Sequence, residues 1–404
     1  MPMDARLVST PGSGGPGGAI RRSLRSGGLN TGNVIRGPGA RVRPEVERRA
    51  DESRWLAGAV YRDEDFPADP YPGAVPPSSY LHADGLAWPL RETSSGAVVE
   101  PDGVDLDEWL VQHGEVPLSG RIPVLTYGSN RNPSKITWLR QNLGLPGAVV
   151  VLRAHCADLA AVWASGFRLR DGARPATLAA APGVTETHAV WLATPAQLRV
   201  LDVVEGRGER YRLARVHTGR VTLGTGAHLD GVLSYVARGV VREPLLVDGH
   251  PVRCQELSQD AARELTGVPG YCGLAVTEIT GAPDPGLWPD RVFVYGTLQP
   301  GCSAWSLAAP WVSGTPRRAS VPGTLYDTGE GWPGLLAGTD GEVPGWLLPL
   351  ADPVAALPVL DEYEGAEYRR IRITLADGTV CWTYVFTAAT DGFRVVPSWP
   401  AGHV

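Results

Sequence analysis

Two glutamates stand in matching surroundings. Glu205 closes the stretch Leu201-Asp202-Val203-Val204-Glu205-Gly206 and is followed by Tyr211-Arg212, while Glu364 closes Leu360-Asp361-Glu362-Tyr363-Glu364-Gly365 and is followed by Tyr368-Arg369. Upstream of each, an apolar run ends in Tyr-Gly: Ile122 to Thr126 leads into Tyr127-Gly128-Ser129-Asn130, and Arg291 to Val294 into Tyr295-Gly296-Thr297-Leu298. A carboxylate held among apolar side chains, here Val203 and Val204 or Tyr363, has a raised pKa and can serve as general acid or base near neutrality. The competing assignment is a helix cap or an ion pair with Arg210, Arg212, Arg369 or Arg370. A glycine turn between a strand and a helix lets the backbone approach a ligand, and the N–H groups there suit a carboxylate or phosphate. G-x-x-x-x-G-K-[ST] does not occur, and neither Y-G turn, at Gly128 or at Gly296, opens a G-x-G-x-x-G, which disfavours nucleotide phosphate at these turns.

The elements that must hold these residues repeat with them. The run Ile122 to Tyr127 is β-prone, and Asn132 to Leu143 reads as a helix, with Pro133 in its first turn and Ile136, Leu139 and Leu143 on one face. Tyr127 lies 78 residues before Glu205, and Tyr295 lies 69 before Glu364. Strand-like runs, Val232 to Val236 and Trp382 to Phe386, follow each glutamate. The same order of signals twice predicts two homologous domains in tandem, 119–285 and 286–404. Residues 1–50 hold ten glycines and five prolines and predict a disordered Gly/Arg-rich tail. Residues 51–118, broken by Pro67, Pro70, Pro72, Pro76 and Pro77, predict a lead-in that wraps over a neighbouring domain, with a short helix in Val104 to His113.

Composition narrows the function classes. The chain has 404 residues, of which 43% are hydrophobic, and no apolar run long enough to span a membrane. The net charge is −6, but residues 1–50 carry +6, which leaves an acidic body of −12 that argues against nucleic-acid binding. Lys135 is the only lysine. The five cysteines (Cys156, Cys254, Cys272, Cys302, Cys381) form no C-x-x-C pair, and the histidines are scattered. Neither a zinc site nor a disulfide framework is expected, and a reduced cytoplasmic setting is the default. Trp163, Trp191, Trp346 and Trp382 read as core residues.

Val292 to Gly301 (VFVYGTLQPG), Val321 to Asp327, Trp332 to Leu335, Leu360 to Gly365 and Val396 to Trp399 together resemble the gamma-glutamylcyclotransferase-like superfamily, in its gamma-glutamylamine cyclotransferase branch. The first copy is similar to the branch that carries Y-G-S-N, through Pro175 to Leu178, Leu192 to Pro195 and Leu201 to Gly206. It departs at Val203-Val204 and at the insertion Arg207 to Arg210. The resemblance implies an α+β fold, each domain a small, closed, barrel-like mixed sheet with flanking helices and a cavity between the Y-G turn and the E-G glutamate. It implies release of 5-oxoproline from a small gamma-glutamyl amine or amino acid, with Glu364 and Glu205 as acid–base residues and no metal or organic cofactor. Tyr295, Gly296, Thr297, Leu298 and Tyr368, and Tyr127, Gly128, Ser129, Asn130 and Tyr211, would line the two substrate sites. The expected partner is that small substrate alone, with no nucleic acid or membrane; oligomeric state stays open. The other reading is a non-catalytic binding or scaffold module on the same fold.

Overall fold

The computed structural model describes residues 60–93, 96–100 and 102–400. The tail over 1–50 lies outside these residues. The fold is α+β, with several sheets and few helices, and no described helix is long and apolar enough to cross a membrane.

Ile122–Thr126 is buried at all five positions, as a strand covered on both faces must be. It runs parallel to Leu233–Ala237 (Leu233 opposite Val124) and antiparallel to Ala176–Ala193 (Ile122 opposite Ala193). Ala176–Ala193 forms a long hairpin with Val149–Trp163. Helix Pro195–Glu205 follows, started by a capping box in which Thr194 accepts from the Gln197 amide, and it buries Leu198 and Leu201. Tyr211–Val216 then pairs with Leu233–Ala237.

The same succession recurs in the C-terminal part. Arg291–Val294 lies parallel to Val380–Phe386 (Val292 opposite Trp382) and antiparallel to Pro333–Pro349 (Val292 opposite Leu348). The long hairpin is Arg317–Asp327 with Pro333–Pro349. Helix Pro353–Glu364 is capped by Asp352 and buries Leu357 and Leu360, and Tyr368–Thr374 pairs with Val380–Phe386. The hydrogen-bonded path of this sheet is open, not closed: its outer strands, Tyr368–Thr374 and Arg394–Val396, pair inward only. A register shift at Pro322/Gly323 bends the hairpin, which curls the sheet without joining its edges.

The described part of the lead-in enlarges the first sheet. Tyr80–Ala83 pairs with Val149–Trp163 (Tyr80 opposite Val151), and further strands extend outward to Val104–Asp105. Its helix is Leu106–Gln112, where Asp105 accepts from the Asp107 and Glu108 amides.

Candidate functional site

In each half the helix between the long hairpin and the next strand ends on its glutamate, and a left-handed glycine turns the chain away: Gly206 at φ 65° after Glu205, Gly365 at φ 70° after Glu364. What aims that helix end is a relay the two halves share. Tyr127 donates its hydroxyl to the Tyr235 carbonyl (2.6 Å), and Tyr235 donates to Asp202 Oδ1 (2.6 Å). Tyr295 donates to the Tyr384 carbonyl (2.8 Å), and Tyr384 to Asp361 Oδ1 (2.8 Å). The aspartate of the L-D-x-x-E-G motif is therefore an anchor. It ties the last helical turn to the strand beside the Y-G turn and so brings the glutamate three residues later to that turn. The tyrosine after each glutamate serves the same layout, with Tyr211 donating to the Ala176 carbonyl (3.1 Å) and Tyr368 to that of Pro333 (2.9 Å).

Two cavities result. The first, about 660 Å³, is lined by Tyr127, Gly128, Ser129, Asn130, Glu205 and Tyr211. The second, about 220 Å³, is lined by Tyr295, Gly296, Thr297, Leu298, Glu364 and Tyr368. All twelve residues singled out in the sequence thus fall in two groups of six around two hollows. The glycines permit close approach: a Cβ on Gly296 would lie 3.1 Å from the Pro333 ring, and one on Gly128 would lie 2.9 Å from the Tyr71 hydroxyl. Cys302 does not line the second cavity. Trp163, Trp191 and Trp382 are buried in the core, and Trp346 is partly so.

Glu364 forms no ion pair among the described residues. Arg369 turns to Asp107 (3.1 Å) and Arg370 to Asp361 (3.0 Å), leaving Glu364 facing the cavity. Desolvation, with the Asp361 charge beside it, raises the Glu364 pKa to about 7. The negative end of its own helix acts in the same direction. Glu205 is also raised by desolvation, opposed by a hydrogen bond from Asn130 Nδ2 (2.7 Å) and by Lys135, Arg210 and Arg242. Arg210 reaches the Val204 and Glu205 carbonyls, not a carboxylate. The sequence expectation that Val203, Val204 and Tyr363 surround the glutamates is corrected for Val203, which is exposed at 65%. Val204 is partly buried and lines the first cavity with Glu205, and Tyr363, though exposed, lines the second with Glu364. Val203, two positions back on the helix, points away from Glu205, and the remaining walls are tyrosines distant in the chain, Tyr127 and Tyr211 in the first cavity and Tyr295 and Tyr368 in the second.

Tyr71, in the proline-rich lead-in, carries no spacing or repeat signal in the sequence, yet it walls the first cavity and accepts the buried Ala176 amide at 2.9 Å. Phenylalanine there strands that amide. Tyr71→Phe should therefore cost about 1–3 kcal/mol in chemical denaturation, and an unchanged midpoint would refute the role. Lys135, Arg168, Arg170 and Arg242 also line this cavity without having been legible as site residues, because they come from three separate segments (the helix Pro133–Leu143, the loop that holds both Arg168 and Arg170, and the turn Val240–Arg242) and no motif links them.

No curated protein matches the sequence. Among solved structures, a uropathogenic E. coli-specific protein is 23% identical, with 27% of this chain and 87% of that chain covered and a TM-score of 0.24. A chain described as a gamma-glutamyl cyclotransferase is 19% identical, with 30% and 70% covered and a TM-score of 0.25. YkqA from Bacillus subtilis is 15% identical, with 66% and 84% covered and a TM-score of 0.22. The stretch that builds the second cavity, residues 292–399, matches the family described as gamma-glutamyl cyclotransferase, AIG2-like.

Proposed function

We propose that this chain is a tandem cyclotransferase that releases 5-oxoproline from small gamma-glutamyl amines or amino acids, with Glu364, and in the first domain Glu205, moving the proton. The observation that carries this reading is the pairing, twice, of a Y-G turn and a helix-terminal glutamate in one cavity, set by the same Tyr–Tyr–Asp relay. In the reaction the α-amine attacks the gamma-carbonyl carbon of its own glutamyl group. A new N–C bond closes the five-membered lactam as the C–N bond to the leaving amine breaks. The attacking nitrogen loses one proton and the leaving nitrogen gains one, so a single carboxylate that accepts and returns a proton balances the step. A glutamate whose pKa lies near neutrality suits both halves of that transfer. The turn amides at Gly296 to Leu298 and at Gly128 to Asn130 would hold the glutamyl carboxylate or the oxyanion. Enclosure keeps amine and carbonyl in contact and lowers the entropic part of the barrier.

The second reading, a ligand-binding module, gains support only at the first cavity, where Asn130 and three cations favour Glu205 as a fixed carboxylate. One experiment separates the two. 5-Oxoproline release is measured from a panel of gamma-glutamyl amines, amino acids and dipeptides with wild type, Glu205→Gln, Glu364→Gln and the double variant. Loss confined to one single variant assigns the chemistry to that domain and leaves the other cavity as a binding site. No release from any substrate by wild type would sink the enzyme reading.

A further inference from the structure

The two cavities share a plan but not a charge. The second is lined by Glu364 and Glu367 and by no lysine, arginine or histidine. The first is lined by Lys135, Arg168, Arg170, Arg210 and Arg242, against Glu205 and Glu209. Asp171 pairs with Arg168 (2.7 Å) and Arg170 (3.2 Å). A gamma-glutamyl group enters as a zwitterion with no net charge. Setting Asp171, Glu205 and Glu209 against the five cations then leaves two positive charges unbalanced. Two of the cations are built in at a cost. Arg242 is only 7% exposed, its Nε has no hydrogen-bond partner, its Nη1 reaches only the Val241 carbonyl (3.0 Å), and it takes part in no ion pair among the described residues. Lys135, also 7% exposed, lies 3.7 Å over the Trp138 ring and likewise has no ion pair among the described residues. A buried guanidinium edge without a partner is expensive unless a ligand supplies one.

We infer that the first cavity takes gamma-glutamyl compounds whose leaving portion carries two negative charges, a dicarboxylate or a phosphate, held by Arg242 and Lys135. This rests on the cyclotransferase reading for the chemistry and goes beyond it for the substrate. Arg210 is committed to backbone carbonyls and Arg168 and Arg170 to Asp171. Arg242 and Lys135 are thus the cations available to the ligand. Arginine in addition offers a planar fork that matches carboxylate and phosphate oxygens.

The test uses the full chain with Glu364→Gln, so that turnover comes from the first cavity. The substrates are gamma-glutamylglutamate and gamma-glutamyl-phosphoethanolamine, which distinguish dicarboxylate from phosphate, and the neutral gamma-glutamylpropylamine. The expected result is kcat/KM about 100-fold higher for at least one dianionic substrate than for the neutral one, since each charge-assisted hydrogen bond is worth about 10- to 100-fold. Arg242→Gln should remove about 10- to 100-fold of that, mostly through KM, and Arg242→Lys should restore part of it. Equal kcat/KM for dianionic and neutral substrates would overturn the inference and leave the cyclotransferase reading intact. If no substrate is turned over, calorimetry on Glu205→Gln with the same compounds decides. Salt-sensitive binding of a dianion that is lost on adding Arg242→Gln sustains the charge assignment without the chemistry, and no binding overturns it. A matching thermal transition for each variant excludes misfolding as the cause.

Discussion

Glu364→Gln is expected to lower 5-oxoproline release from gamma-glutamyl amines by about 10²- to 10⁴-fold, the usual contribution of a positioned acid–base group. The amide keeps the shape of the carboxylate and removes only its proton chemistry. The same substitution should leave the fold as stable as before or more so. Desolvation raises the Glu364 pKa to about 7 from an ordinary value of 4.5. Between these two values the folded protein holds a proton that the unfolded chain has released. Its contribution to stability is therefore greatest below about pH 4.5 and is lost as pH rises to about 7. Because Glu364 also touches the solvent-filled cavity, the full shift is discounted, and about 1–2 kcal/mol of stability should be recovered by Glu364→Gln at pH 8. Activity should run the other way, rising with pH through about 7 as the carboxylate forms. A variant that is less stable and retains wild-type turnover would assign Glu364 to structure alone. A rate flat between pH 5.5 and 8.5 would remove it from the proton transfer.

The second large effect lies away from both cavities. Arg372 joins the C-terminal sheet to the first: its guanidinium donates to the carbonyls of Leu118 (2.7 Å), Arg121 (2.8 Å), Pro285 (3.0 Å) and Trp288 (3.2 Å), and it stacks over Trp382 at 4.3 Å. Burial lowers its pKa to about 9, which leaves it charged at neutral pH. Removing it leaves four carbonyls without their donor, and no single residue elsewhere in the described chain bridges these segments in this way. Arg372→Ala should cost about 3–5 kcal/mol, in the range found when one partner of a buried charged network is deleted. Arg372→Lys should recover less than half of it, because one ammonium cannot reach four carbonyls set around a planar fork. Chemical denaturation followed by tryptophan fluorescence reads this directly, with a split or lower-midpoint transition expected. A midpoint within 0.5 kcal/mol of wild type would show that the seam is held by its apolar contacts alone.

The line between what the residues announce and what folding decides runs through single side chains. The apolar runs at 122–126 and 291–294 read as strands because a strand buried on both faces must be apolar throughout, a property of the local sequence alone. Helix Pro133–Leu143 is marked at its start by Asn132 and Pro133, which satisfy or lack the amides a first turn leaves free. The repeated L-D-x-x-E-G likewise points to Glu205 and Glu364, since a recurring residue in a recurring frame needs no tertiary information to be noticed. The function of the aspartate in that frame was not readable, because its partner, Tyr235 or Tyr384, lies on a strand 33 or 23 residues away. Tyr71 and Arg242 were silent for the same reason: each enters the first cavity from a loop outside the repeated frame. The sequence by itself determined the apolar strands that lead into the Y-G turns, the helix that follows the first of them, the recurring pair of glutamates and the glycine turns, through local periodicity, capping and recurrence. That each glutamate ends a helix came from the structure. Only the tertiary structure decided which side chains shield those glutamates and that one cavity is cationic while the other is not. Burial and charge at a site are sums over neighbours that the chain brings together from far apart.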